Sequence, residues 1–149
     1  MSLTADVMTL AASPLFGEFE QEQLRLIAFG ARKREFRRGD VVFREGRPAE
    51  GATIVIEGQL LVEAEDGTVG TAGPRALLDE TALLSRRPHS YTATAETDGS
   101  LMVIDRPLFR RMVEEFPDIA DRTRTRIARR LTRLATEAEG PLRRLVGDA

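Results

Sequence analysis

The side chains best suited to chemistry stand together in one short segment. Asp79 and Glu80 are adjacent carboxylates, Arg86 and Arg87 follow, and His89 is the single histidine of the chain. One histidine is too few for a metal-dependent enzyme of the usual kind, because such sites generally use two or three histidines with a carboxylate. Cysteine is absent, which excludes disulfides, thiolate ligands and thiol nucleophiles. We therefore expect no metal and no enzymatic activity, and the cluster raises the question of whether it forms an anion pocket or one that has lost its anion.

The length and charge of the chain narrow its class. The 149 residues fit one domain that can bury enough surface to fold without disulfides. The formal net charge of −2 argues against a globally basic nucleic-acid binder. No apolar run approaches the ~20 residues of a membrane span, and the N-terminus lacks the pattern of a signal peptide. We expect a cytoplasmic protein that does not contact a membrane, and the lack of cysteine fits a reducing compartment.

The elements that must position the cluster change in type along the chain. Residues 14–29 predict a turn followed by a helix. Between residues 31 and 106, short β-rich runs alternate with glycine turns, and Asp66-Gly67 is typical of a hairpin. A short helix interrupts these strands at the cluster, and residues 106–139 predict two helices. This order predicts an α+β fold with an antiparallel β-roll at its centre.

The second C-terminal helix carries two stripes of side chains. The apolar stripe has heptad-like spacing and consists of Ala120, Ile127, Leu131, Leu134 and Ala138. We interpret it as the seam of a homodimer, and the alternative is one helix that packs on its own β-roll. The second stripe consists of Arg122, Arg126, Arg129 and Arg133. We interpret it as a solvated face, and the alternative is a contact with nucleic acid.

Two segments, residues 36–62 and residues 79–95, resemble the cyclic nucleotide-binding domain family. This family includes the bacterial catabolite activator protein and the regulatory domains of kinases and channels. In the first segment the matching residues are Phe36, Gly39, Val41, Phe43, Glu45, Gly46, Ile54, Val55 and Gly58. The sequence GTAGP at 70–74 matches the turn before the family's phosphate-binding cassette, and residues 79–95 align with the cassette without a gap.

The resemblance covers about residues 14–138 and implies a specific architecture. The implied fold is an eight-stranded antiparallel jelly-roll barrel with a short N-terminal helix, a short cassette helix and two C-terminal helices. We therefore predict a tail over residues 1–13, a cyclic nucleotide-binding-like domain over residues 14–138 and a second tail over residues 140–149.

The resemblance also implies a ligand site. Family members hold the nucleotide with a Gly-Glu pair and with an arginine nine residues after the glutamate. Glu80 matches the glutamate, whereas Asp79 replaces the glycine and His89 replaces the arginine. The implied ligand-binding residues are Leu78, Asp79, Glu80, Thr81, Ala82, His89, Ser90 and Tyr91, with Arg86 and Arg87 as substitute phosphate contacts. Two simpler interpretations stay open: Glu80 caps the short helix, and His89 is a tolerated turn residue.

Both replacements oppose a bound phosphate. A carboxylate ~4 Å from another negative charge costs on the order of 4 kcal/mol at an effective dielectric constant near 20. Loss of one partner of a buried charged contact costs about 2–5 kcal/mol. Since each ~1.4 kcal/mol is about tenfold in affinity, a micromolar pocket becomes millimolar or weaker. Tyr91 also stands where the family has a small residue, which leaves less room for the phosphate.

Two functions follow as hypotheses. The first is a ligand-sensing regulatory domain that binds cyclic AMP or cyclic GMP, uses no other cofactor and signals through a dimerising C-terminal helix. The second is a degenerate member that binds no cyclic nucleotide and serves as a dimerisation or partner-interaction module. Only nine residues follow Gly140, too few for the helix-turn-helix of the family's transcription factors. We therefore expect no DNA binding by this chain alone and an output through a protein partner or a missing output domain.

Overall fold

The computed structural model describes the backbone of residues 3–136 and the side chains of residues 3–129. The helices are α1 (Leu3–Ala11), α2 (Gln21–Gly30), α3 (Arg106–Glu115) and α4 (Asp118–Thr136), with 3-10 helices at Phe16–Glu18 and Glu80–Leu83. The strands are β1 (Arg32–Phe36), β2 (Val41–Phe43), β3 (Pro48–Ala49), β4 (Gly51–Glu57), β5 (Leu60–Glu63), β6 (Val69–Ala72), β7 (Leu77–Leu78), β8 (Arg87–Pro88), β9 (Thr92–Ala95) and β10 (Gly99–Asp105).

Two antiparallel sheets form the β-roll. One has the strand order β1-β10-β4-β7 and the other β2-β9-β5-β6, while β3 pairs with β8 alone. The α+β fold with a central antiparallel roll is thus confirmed. The described residues form ten strands where eight were predicted, and three of the ten, β3, β7 and β8, contain only two residues each. The two sheets form an open roll and do not close into a barrel.

Both faces of the first sheet are covered, because successive side chains of β10 point into two different cores. Leu101 and Val103 enter the core between the two sheets. Met102 and Ile104 point the other way, into a second core that the helices complete. The helical residues of this second core include Leu10, Phe16, Leu24, Ile27, Phe109 and Met112.

The N-terminal residues correct one prediction. The predicted tail over residues 1–13 contains α1, and its Val7 and Leu10 are buried in the helical core. Asp6 is buried as well, and its Oδ2 lies 2.7 Å from Lys33 Nζ on β1. The helix therefore belongs to the domain, held by apolar contacts and by one ion pair to the first strand.

Local signals in the sequence explain two of the boundaries. The predicted hairpin turn joins β5 to β6, and Gly67 has the positive φ of 92° that glycine favours. The Thr68 hydroxyl and amide donate to Asp66, and these bonds hold the pKa of that carboxyl below its usual value. Asp105 caps α3 by accepting from the Leu108 amide at 2.9 Å.

The first half of α4 packs within the chain. Ile119 and Thr123 are fully buried, and Ala120 and Ile127 are each 7% exposed. This burial supports the alternative, packing on the chain's own domain, for these positions of the predicted seam. Leu131 and Leu134 lie in α4 beyond the described side chains, and Ala138 and the predicted tail at 140–149 lie outside the described residues, so the dimer seam stays a prediction. Across the part of the chain that is described, no helix is long and apolar enough to cross a membrane.

Candidate functional site

The short helix Glu80–Leu83 is fixed at both of its sides. It follows β7, whose Leu78 pairs with Thr53 of β4. On the other side, Nη1 of Arg106, the first residue of α3, donates to the carbonyl of Ala82 at 2.9 Å and to that of Ala49 at 3.0 Å. One guanidinium therefore ties the short helix to α3 and to β3.

His89 is held by its backbone and by its ring. Its amide donates to the Arg47 carbonyl at 2.8 Å, and its carbonyl accepts from the Gly46 amide at 2.9 Å. The imidazole stacks on Phe43, with ring centroids 4.5 Å apart and an interplanar angle of 28°. These contacts leave the His89 ring in one orientation and almost fully buried.

The carboxylate of Asp79 meets two buried donors. His89 Nδ1 lies 2.9 Å from Asp79 Oδ2, and the Tyr91 hydroxyl donates to the same oxygen at 2.6 Å. Only 9% of the Asp79 side chain and 7% of the His89 side chain are exposed. Since a carboxylate only accepts, Nδ1 carries the proton of this bond. Hydrogen bonds to a carboxylate are shorter and stronger than those between neutral groups. The two bonds to Asp79 therefore hold the three side chains together.

The backbone at Asp79 explains how its carboxylate reaches this place. Its φ of 61° and ψ of 35° lie in the left-handed region, where the resembling family has a glycine. Aspartate tolerates this region better than most residues other than glycine. The side chain thus supplies an anion inside the corner and occupies the donors that an external anion would need.

Glu80 faces a different partner. Its Oε2 lies 3.4 Å from Arg126 Nε of α4, and 3% of its side chain and 17% of the Arg126 side chain are exposed. The geometry is that of an ion contact, because Nε and Nη2 of Arg126 have no hydrogen-bond partner among the described residues. The prediction of a solvated face is therefore wrong for Arg126. The hydroxyl of Thr123, one turn earlier on α4, is also buried without a partner in the described part of the chain.

The other predicted site residues are distributed around this unit. Leu78 and Ala82 are buried, Thr81 is half-buried and Ser90 is exposed. Arg86 and Arg87 are both exposed. Arg87 Nε donates to Ser85 Oγ at 3.3 Å. The structure therefore brings together Asp79, His89 and Tyr91 and leaves the two arginines outside.

Three residues of the site were given no role from the sequence. Phe43 was only part of a family pattern, Arg106 only began a helix, and Arg126 belonged to a polar stripe. The periodicity of α4 holds one usable signal, since Arg126 follows the inward-facing Thr123 by three residues and shares its face. Among the described residues, no group of three or more His, Cys, Asp or Glu could hold a metal ion.

Comparison with known proteins identifies relatives of this chain. The family model described as the Cyclic nucleotide-binding domain matches residues 33–116, more than half of the chain. The type II regulatory subunit of cAMP-dependent protein kinase from Drosophila melanogaster is 31% identical over 66% of this chain and 26% of the relative. A CRP-like cAMP-activated global transcriptional regulator from Mycobacterium tuberculosis is 27% identical over 83% of this chain and 58% of the relative. The chain thus spans less than two thirds of the length of each of these two proteins.

Solved structures agree with the family match. The N-terminal domain of a transcriptional regulator from Streptomyces coelicolor A3(2) superimposes with a TM-score of 0.76 and 25% identity. The alignment covers 89% of this chain and 96% of that domain. A cyclic nucleotide-binding-like protein from Brucella abortus gives a TM-score of 0.64 and 37% identity, over 73% of this chain and 97% of that protein.

Proposed function

The chain belongs to the cyclic nucleotide-binding domain family, and we propose that it is a regulatory domain in which a carboxylate of the chain stands in for the nucleotide phosphate. The observation that carries this proposal is the double hydrogen bond to Asp79 Oδ2, from His89 Nδ1 at 2.9 Å and from Tyr91 OH at 2.6 Å. The corner is folded, buried and already satisfied by its own anion. Cyclic AMP and cyclic GMP are therefore not its working ligands.

Charge supports the same conclusion. A cyclic phosphodiester placed beside Asp79 would bring two negative charges together in a buried corner, where their repulsion is weakly screened. The phosphate would also have to take the His89 and Tyr91 donors from Asp79, and the displaced carboxylate would stay buried without them. A buried acceptor that loses its donor costs about 1–3 kcal/mol, in addition to the repulsion.

Regulation is proposed to pass between the short helix and α4. The ion contact of Glu80 with Arg126 joins these two elements, so a displacement of the short helix would also displace α4. The dimer seam proposed for the later part of α4 would carry this movement to a second copy. The relatives are described as regulators of a kinase and of transcription, which supports a non-enzymatic role with an output in a partner protein or a further domain. A cytoplasmic location stays a prediction.

Isothermal titration calorimetry tests the proposal. The wild-type protein is expected to give no binding heat with cyclic AMP or cyclic GMP up to millimolar ligand. The double variant Asp79→Gly, His89→Arg restores the family pattern, and we expect it to bind at least about tenfold more tightly. Adding Arg86→Ala to the double variant is the control, since an exposed residue outside the corner should leave the regained affinity unchanged.

Two results would contradict the proposal. Micromolar binding by the wild-type protein would show that Asp79 does not exclude the phosphate. The proposal would also fail if the double variant is folded, as judged by circular dichroism, but still gives no binding heat. Asp79 and His89 would then not be the groups that block the nucleotide.

The second candidate function is a working cyclic nucleotide sensor. The observation that favours it is the retained Glu80, which matches the family's ribose-binding glutamate. The Arg126 guanidinium lies at that carboxylate, so a ribose hydroxyl would have to share Glu80 or displace the arginine. The same calorimetric titration of the wild-type protein separates the two functions.

A further inference from the structure

A cavity of about 490 Å³ borders the His89 side chain. Its walls come from β1, β2, β4 and β10, and they include Arg34, Phe43, Thr53, His89 and Val103. Asp79, Glu80 and Tyr91 do not line it, so it shares only His89 with the phosphate corner. We propose that this cavity binds a small organic carboxylate, a monoanion with an apolar body.

The charge of the ligand follows from the ion pairs around the cavity. Arg32 pairs with Glu50 and lies 4.0 Å from Asp105, and Lys33 is 2.7 Å from Asp6. These cations are already neutralised by the chain.

Arg34 is the cation that the cavity leaves without a countercharge. Its Nη1 donates to the Val42 carbonyl at 3.0 Å, and its guanidinium lies 6.0 Å from the centroid of the Phe43 ring. Within the described residues Arg34 has no carboxylate partner. Two parallel N–H donors of a guanidinium match the two oxygens of a carboxylate, so one unpaired arginine selects one acid group.

The shape and polarity of the walls define the rest of the ligand. Phe43 and Val103 supply apolar surface, and Thr53 supplies a buried hydroxyl. The His89 ring adds one polar atom, Nε2, because its Nδ1 is bonded to Asp79. A cavity of this size is within the usual range of roughly 300–1,000 Å³ for small-molecule sites.

Titration with 1-naphthoate, monitored by amide chemical shifts of the full chain, tests the proposal. We expect saturable shifts at Phe43, Thr53 and Val103 with a Kd of about 1 mM or tighter. The neutral isostere 1-naphthamide should bind at least about fivefold more weakly, because it cannot pair with Arg34.

Variants at Arg34 assign the charge. Arg34→Met keeps the apolar stem and should weaken 1-naphthoate binding by about tenfold. Arg34→Lys keeps the positive charge and should weaken binding less. Arg44→Met is the matched control, since it removes the same charge from a nearby exposed residue that does not line the cavity, and it should leave the Kd unchanged.

Three results would overturn the proposal. They are equal binding of 1-naphthoate and 1-naphthamide, equal losses for Arg34→Met and Arg44→Met in folded proteins, and shifts that map to residues 78–83 instead of the cavity. This test does not depend on the cyclic nucleotide titration, so either proposal can fail while the other stands.

Discussion

Asp79 combines an unfavourable backbone with favourable side-chain contacts. Its left-handed conformation, with φ 61°, costs roughly 1–2 kcal/mol for a residue with a Cβ. Each of its hydrogen bonds to the carboxylate contributes about 1.5–3 kcal/mol when buried. Two such bonds outweigh the backbone cost, so the residue is stable in a place that a glycine would occupy without strain.

The Tyr91 hydroxyl allows a direct measurement at this scale. Tyr91→Phe removes one buried donor to Asp79 and keeps the ring that packs between the sheets. We expect the free energy of unfolding to fall by about 1.5–3 kcal/mol, measured by urea denaturation with circular dichroism. Thr94→Val, on the strand that directly follows Tyr91, is the control, since no side-chain hydrogen bond of Thr94 is found among the described residues, and it should change stability by less than about 0.5 kcal/mol. A Tyr91→Phe effect as small as the control would mean that the bond does not stabilise the corner.

The contact of Glu80 with Arg126 links two elements that are far apart in sequence. The short helix lies in the β-roll segment, and α4 begins 35 residues after the short helix ends, as the bounds Glu80–Leu83 and Asp118–Thr136 show. Both side chains are mostly buried, so the solvent screens their interaction weakly. α4 is therefore held to the short helix by charge as well as by apolar packing.

Substitution of two arginines on α4 separates this contact from surface ion pairs. Arg126→Met removes the cation beside buried Glu80, and we expect a loss of about 2–4 kcal/mol in the free energy of unfolding. Arg124→Met is the matched control, because its side chain is 65% exposed and pairs with exposed Asp121 at 3.5 Å. The control should cost less than about 1 kcal/mol. Equal losses in urea denaturation would refute a structural role for the contact.

Elements with strong local signals were predictable from the sequence. Asp66-Gly67 marks its hairpin because glycine alone adopts the required φ without strain, and Pro117 separates the two C-terminal helices for an equally local reason. α1 lacked such signals, and its burial depends on α2 and on Lys33 of β1. Arg126 was missed because a partner from another element decides whether an arginine is buried.

At the scale of the whole molecule, the dimer is the main sequence prediction that the fold leaves open. Light scattering of the wild-type protein at high concentration should give the mass of a dimer. Leu131→Asp places a charge on the apolar stripe of α4 and should give a monomer, because a buried unpaired charge costs several kcal/mol. Thr132→Asp is the control, since it adds the same charge beside the stripe. A monomeric wild-type protein, or a dimer that survives Leu131→Asp, would contradict the prediction.

The sequence predicted which residues form the site but only part of how they contact one another. The family pattern indicated residues 79 and 89 as the altered positions, and repulsion of a phosphate followed from their charges. The sequence could not indicate that Asp79 and His89 bind each other, since that depends on the left-handed backbone at Asp79 and on the stacking of His89 on Phe43. The internal anion is therefore a property of the folded molecule.

A crystal structure of the wild-type protein grown with millimolar cyclic AMP tests the central claim most directly. The account predicts Asp79 Oδ2 within hydrogen-bond distance of both His89 Nδ1 and Tyr91 OH, with no phosphodiester beside them. A cyclic phosphodiester seated against residues 79 and 89, with the Asp79 carboxylate turned away, would contradict it.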